Sequence, residues 1–295
     1  MTNKIKSVLT VAGSDSGGGA GIQADTKTIT ALGEYASNVI TAVTVQNTLG
    51  VSESITLSHE LVSAQIDAVC GDIFPDAVKI GIICSRENIV ALAEKIKYYG
   101  LSKIVLDPVM VSTSGKMLME SEAMETMVEM LMPLVDLITP NIPEAEKICG
   151  IVIKSDADRV SAAKKIGELT GTSVLIKGGH EFSCSRDLLL INNKKIQDKQ
   201  IYWFSSRKLE TKNTHGTGCT LSSAIATFLA KGYGILEAVQ YGKYFLYNAM
   251  KNEINLGHGN GPLNHMWDNP WLMENYEKSY IASARAEISV SCLEE

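Results

Sequence analysis

Asn213-Thr214-His215-Gly216-Thr217-Gly218-Cys219-Thr220 places two glycines and a thiol directly ahead of a helix-like run, Leu221-Ser222-Ser223-Ala224-Ile225-Ala226. Glycines let backbone N–H groups converge, and a helix start adds partial positive charge. The spacing therefore predicts an anion site, above all for phosphate. Cys219 stands where those N–H groups point, and a helix start is expected to favour its thiolate. The competing reading is a buried structural cysteine. His215 is near enough to assist, or simply makes a local hydrogen bond.

Other residues could supply the rest of a phosphate chemistry. Gly13-Ser14-Asp15-Ser16-Gly17-Gly18-Gly19-Ala20-Gly21 lies between an apolar run and a helix pattern, the place where open α/β sheets bind ligands. Its Gly19-Ala20-Gly21-Ile22-Gln23-Ala24 formally fits a dinucleotide fingerprint. No acidic residue ends the next strand and no Walker lysine follows, so a backbone-lined ligand wall is the better reading. Gln46 ends a strand pattern, and its amide can read a flat heterocycle or serve a turn. Asp107 and the Asn141-Ile142-Pro143-Glu144 segment also sit at strand ends. Their oxygens suit Mg2+ on a nucleotide's phosphates, while Asn141 and Glu144 equally suit a helix capping box. Lys177, before Gly178-Gly179-His180, can reach a phosphate or snorkel from an edge.

Short apolar runs alternate with helical patterns and so position these residues. Strands are expected at 7–12, 38–45, 77–83, 103–106, 137–139 and 173–177, with helices at 24–32, 61–70, 86–99 and 157–169. That rhythm predicts an α/β fold with a mainly parallel central sheet and helices on both faces. Residues 188–192 and 195–204 read as an antiparallel edge, followed by helices over 217–231 and 235–255. We divide the chain into one domain over 1–268 and a tail over 269–295, a docked helix or a partly ordered end.

Composition narrows the function. The 295 residues carry a net charge of -6 and no lysine/arginine run beyond two, which disfavours nucleic acid and anionic membranes. No apolar run approaches the roughly 20 residues of a bilayer span, and Val8-Leu9-Thr10-Val11-Ala12 is short for a signal segment. Cys70, Cys84, Cys149, Cys184, Cys219 and Cys292 show no C-x-x-C spacing. Reduced thiols in a cytoplasm are expected, with all but Cys219 structural.

Taken in order, these motifs make the chain resemble the hydroxymethylpyrimidine/phosphomethylpyrimidine kinases of thiamine biosynthesis, in the ribokinase superfamily. Residues 11–25, 42–48, 106–110, 139–145, 177–180, 213–220 and 259–263 carry the resemblance, which runs from about Val8 to about His265. It implies a ribokinase-like, three-layer αβα fold. It also implies ATP-dependent phosphorylation of 4-amino-5-hydroxymethyl-2-methylpyrimidine and then of its monophosphate. By motif, Gln46, Ala20, Asp25 and Ile82 would surround the pyrimidine, and Lys177, Asn141 and Thr214 would contact ATP. Asp107 and Glu144 would hold Mg2+. Gly216, Thr217 and Gly218 would form the anion hole, with Cys219 taking the hydroxyl proton.

The resemblance further implies a homodimer, with Mg2+ on ATP and a monovalent cation as a second candidate ion. Ile82 departs from the family's usual methionine after Lys-x-Gly, keeping the wall apolar but stiffer. A vitamin B6 kinase is the closest alternative, because its substrates are also flat heterocycles bearing a hydroxymethyl group. A non-catalytic ligand-binding homologue is the alternative from another class.

Overall fold

The computed structural model describes residues 4–110, 119, 121–178, 184–193, 198–267 and 276–292. The elements begin β1 (Ser7–Asp15), α1 (Gly21–Ala31), β2 (Tyr35–Asn47), β3 (Gly50–Thr56), α2 (His59–Cys70), β4 (Ala77–Ile80) and α3 (Arg86–Tyr99). They continue with β5 (Ile104–Leu106), α4 (Ser121–Thr126), β6 (Leu137–Ile138), α5 (Ile142–Cys149), α6 (Asp156–Thr170) and β7 (Ser173–Ile176). The last are β8 (Cys184–Asn193), β9 (Asp198–Arg207), α7 (Thr217–Ala230), α8 (Ile235–Lys251), α9 (Tyr276–Glu287) and β10 (Ser289–Cys292).

Strand alternation divides the core into two layers. Leu9, Ile104, Leu106, Val174, Ile176, Leu188 and Leu190 pack on one face of the sheet with α2, α3, α5 and α6. Val8, Val105, Leu175 and Leu189 point to the other face, against α7, α8 and α9. A period of two on a strand buried from both sides requires this near-continuous apolar sequence. The result is the three-layer αβα arrangement expected from the β–α rhythm.

The sheet has ten strands in the order β10-β9-β8-β7-β6-β5-β4-β1-β2-β3. The pairs from β7 to β2 are parallel. Both edges are antiparallel, β3 on one side and β8–β10 on the other. Strand order reverses beside β1, so a crevice opens at the C-terminal ends of β1 and β4.

Several bounds differ from those read in the sequence. β1 runs past Gly13 to Asp15, with a register shift between Ala12 and Ser14 that carries it into the glycine loop. β4 stops at Ile80, and α8 stops at Lys251. β3 escapes sequence reading because Ser52, Glu53, Ser54, Ile55 and Thr56 are all exposed and show no buried face. Past residue 275, Tyr280, Ala284 and Ile288 are buried against the α8 side, and Tyr280 Oη donates to the Tyr241 carbonyl at 2.7 Å.

One ion pair lies wholly inside this frame. Lys79 on β4 and Asp25 on α1 are both fully buried, with Lys79 Nζ 2.8 Å from each Asp25 oxygen. Thr10 and Ser223 donate hydroxyls to the same carboxylate, tying β1 and α7 to α1. Lys79→Met leaves that carboxylate without its cation. It is expected to cost about 3–5 kcal/mol in urea unfolding, most of it recovered by the Asp25→Leu/Lys79→Met double substitution. A single-variant loss below about 1 kcal/mol would show that the pair does not matter to the core.

Candidate active site

Two helix starts meet at the crevice. Gly216 caps α7 with φ 86°, and Gly21 begins α1 with φ 57°. A Cβ on Gly216 would lie 1.8 Å from the Gly19 carbonyl oxygen, so the two loops touch only because both lack side chains. Asp15 organises the first loop by accepting N–H groups from Gly17, Gly19 and Ala20. His215 Nε2 reaches the same carboxylate at 2.8 Å and pins the second loop to it. Burial works against the Asp15 charge, yet His215 and the Ala20 and Gly17 N–H groups win and hold its carboxyl below the usual range.

A cavity of about 830 Å³ opens above these loops. One end is walled by Ala20, Thr44, Gln46, Val51, Ile82 and Met110. Asp107, Asn141, Glu144, Lys177 and residues 214–219 form the middle. The far end is lined by Ser206, Lys208, Leu209, Lys243, Tyr247 and Met250. That far wall carries no motif readable in sequence; α8 and the segment after β9 assemble it only in three dimensions.

Charge is concentrated in the middle. Lys177 Nζ sits 2.6 Å from Asp107 Oδ1, which also accepts the Thr139 hydroxyl at 3.1 Å. Burial opposes the Lys177 charge, but Asp107 and Glu144 outweigh it and hold the ammonium above its usual range. Asn141 and Glu144 form the full capping box of α5, at 2.8 Å in both directions. Glu144 nonetheless faces Lys177 and Asp107. Burial raises its carboxyl, with Lys177 pulling down and Asp107 adding to the rise. A Cβ on Gly218 would fall 2.9 Å from Asp107 Oδ2, so the first turn of α7 meets these charges directly.

Most of the expected site residues meet here; some do not act as expected. Gly216, Thr217, Gly218, Cys219, Gln46, Ala20, Ile82, Lys177, Asn141, Thr214, Asp107 and Glu144 all line the cavity. Asp25 does not: one turn into α1, it turns inward to Lys79 and is absent from the wall. Ala20 lines the wall with its N–H spent on Asp15 and its carbonyl on Ala24, so it offers shape rather than a donor. Cys219 is not held as a thiolate. Burial pushes its thiol up to about 11, Lys79 and the Gly21 N–H pull it down, and Asp25 and Asp107 add to the rise. Cys84, read as structural, lines the cavity. Gly179 and His180 lie outside the described residues. Among the described residues, no three His, Cys, Asp or Glu side chains converge to hold a metal ion alone, and no helix is long and apolar enough to cross a membrane.

A phosphomethylpyrimidine kinase family model matches residues 15–264. The chain belongs to this family. It is 43% identical to the hydroxymethylpyrimidine/phosphomethylpyrimidine kinase of Bacillus subtilis, over 88% of this chain and 95% of that one. It is 46% identical to the thiamine biosynthesis bifunctional protein ThiED of Geobacter sulfurreducens over 88% of this chain, but spans only 52% of that protein. Among solved structures, the pyridoxal kinase of Staphylococcus aureus in complex with AMP-PCP superposes with a TM-score of 0.84. There the identity is 29%, covering 99% of this chain and 100% of that one.

Two outcomes test the geometry of this kinase. Gly218→Ala puts a methyl against Asp107 at the α7 start and is expected to lower kcat by roughly 10²-fold or more with little change in Tm. Retained kcat would remove the α7 start from the site. In the ligand-free protein, alkylation of Cys219 by iodoacetamide should be slow near neutrality and rise with pH toward about 11, because only the thiolate reacts. A plateau reached below pH 8, followed by peptide mass spectrometry, would contradict the buried, neutral thiol.

Proposed function

We propose that this kinase transfers the ATP γ-phosphoryl group in line to the hydroxymethyl oxygen of 4-amino-5-hydroxymethyl-2-methylpyrimidine, and then a second phosphoryl to the monophosphate. The observation that carries this reading is one continuous cavity with three chemistries in order. Gln46 offers an amide for a flat nitrogen heterocycle. The α7 start with Lys177 accepts phosphate. The wall at Lys243, Tyr247 and Met250 has room for a nucleoside.

Catalysis then rests on positioning and charge. The N–H groups of Gly216–Cys219 hold the phosphoryl oxygens as charge builds on them. Lys177 exchanges its contact with Asp107 for phosphate oxygen, and Thr214 and Asn141 border the same space. Asp107 and Glu144 are too few to cage a cation alone, which fits an ion shared with phosphate. They would hold Mg2+ directly or through water, where it neutralises charge between the phosphates.

Cys219, which lines the cavity, is the proton acceptor of the first transfer through its minor thiolate form, which Lys79 and the Gly21 N–H favour. The second acceptor, a phosphate, is already ionised. The family reading also implies a homodimer. Val43, Val45 and Ile55, exposed on the outer face of the β2–β3 hairpin, are the surface that supports it. Cys70, Cys84, Cys149 and Cys219 are free thiols, which fits a reducing cytoplasm.

The pyridoxal kinase likeness keeps a B6 substrate as the second reading. The polar pairing of Gln46 favours an aminopyrimidine, whose ring nitrogen and amine match an amide. ADP release that requires the pyrimidine, ATP and Mg2+ together tests the function; a large kcat/KM preference for pyridoxal would overturn it. Cys219→Ala is expected to slow the first transfer by roughly 10²-fold or more and the second by under about 10-fold. Equal losses in single-turnover assays would remove its role as base.

A further inference from the structure

Gln46 is held more tightly than a substrate-facing side chain at the end of a hairpin strand needs to be. Its main chain is clamped by Ser16, whose hydroxyl donates to the Gln46 carbonyl at 2.8 Å and accepts the Gln46 N–H at 2.9 Å. One end of its amide lies 3.0 Å from His215 Nε2, and the other lies 3.2 Å from Thr44 Oγ1. The two ends of an amide have nearly the same shape, so only their partners decide which is oxygen and which is nitrogen.

Those partners are decided in turn by Asp15. Its carboxylate already accepts three main-chain N–H groups, which a charged acceptor does and a protonated one does poorly. A carboxylate 2.8 Å from His215 Nε2 requires a proton on that nitrogen, whether the ring is neutral or cationic. An N–H at this position repels an amide nitrogen. The end of Gln46 facing His215 must therefore be the carbonyl oxygen. The other end gives the same answer. Thr44 donates its single hydroxyl proton to the Ser14 carbonyl at 2.9 Å, leaving only lone pairs toward Gln46. The end facing Thr44 must be the NH2 group. With its oxygen toward His215 and its nitrogen toward Thr44, the amide satisfies both contacts.

We infer that Asp15, His215 and Thr44 are positioning residues that lock the Gln46 amide in one orientation, so that the site accepts a 4-aminopyrimidine and rejects its 4-oxo counterpart. The lock consumes one acceptor site on the oxygen and one N–H, leaving one of each for a ligand. A 4-aminopyrimidine presents an amine donor beside a ring-nitrogen acceptor. The 4-oxo ring presents a carbonyl acceptor beside a ring N–H, the same edge with its polarity inverted. A freely turning glutamine serves both; a locked one leaves two mispaired groups against the oxo ring. This inference rests on the pyrimidine-kinase reading and adds the means of its specificity.

The test is the ratio of kcat/KM for 4-amino-5-hydroxymethyl-2-methylpyrimidine over its 4-oxo analogue, in the wild type, Thr44→Val and His215→Phe. The wild-type ratio is expected to be roughly 10²-fold or more. Each variant should lower it at least about 10-fold with KM for ATP changed less than about 3-fold, and His215→Gln, which restores an N–H, should raise it again. A merely structural role would lower both rates together and leave the ratio unmoved, which would overturn the lock. Should His215→Phe fail to fold, Thr44→Val, at a half-buried strand position, decides alone. Phosphorylation of neither ring by the wild type would instead overturn the pyrimidine-kinase reading, and the lock with it.

Discussion

The architecture depends on one close approach. The Gly19 carbonyl and the Gly216 α-carbon meet with no room for a Cβ between them. Everything that makes the site follows from holding α1 and α7 start to start at that distance. Gly21, the first residue of α1, offers its N–H to the Cys219 sulfur in the first turn of α7. One turn further along, Asp25 on α1 accepts from Ser223 on α7. These are successive rungs of the same helix pair, spaced by four residues on each side. Lys79 supplies the cation that lets the lower rung carry a charge inside the core. The upper rung is left open to the cavity.

The same pairing explains why the ligand-free site can be charged without being strained. Lys177 and Asp107 satisfy each other, and the Asn141–Glu144 box satisfies α5. Each of these groups is committed to a protein partner that a phosphate or a cation can replace. Exchange of one charge-assisted contact for another costs far less than desolvating a free ion. Capping and the proposed contact with Mg2+ are therefore not rival roles for Glu144. The cap aims the carboxylate, and the neighbouring lysine and aspartate determine what it can receive.

Local chemistry was legible in the sequence; distant partners were not. β1, β5, β7 and β8 were readable because burial from both sides forces runs of apolar residues on both faces. β3 was not, since a hairpin joined by main-chain bonds to β2 needs no apolar face. The helix start that lines the cavity was visible in the spacing of Gly216 and Gly218. Asp25 misled because its neighbours in sequence line the cavity while its own helical register turns it inward. His215 read as a local residue, yet its partners Asp15 and Gln46 lie at the neighbouring C-terminal ends of β1 and β2, far earlier in the chain. The Cys219 thiolate was inferred from a helix start alone. The burial and the carboxylates that outweigh it belong to other elements.

That reversal bears on how one cavity can serve two transfers. A thiol pushed up to about 11 is almost wholly neutral near pH 7. A thiolate on the cavity wall would repel the second acceptor, a phosphate monoester. A neutral thiol admits it. The first acceptor is an alcohol, and the loose transition state of phosphoryl transfer leaves most of its proton in place until bond formation is advanced. A base is then needed only late in that transfer. A thiol takes the alcohol's proton only after giving up its own, so the first transfer draws on the small thiolate fraction that Lys79 and the Gly21 N–H favour, while the neutral majority lets the charged acceptor of the second transfer arrive.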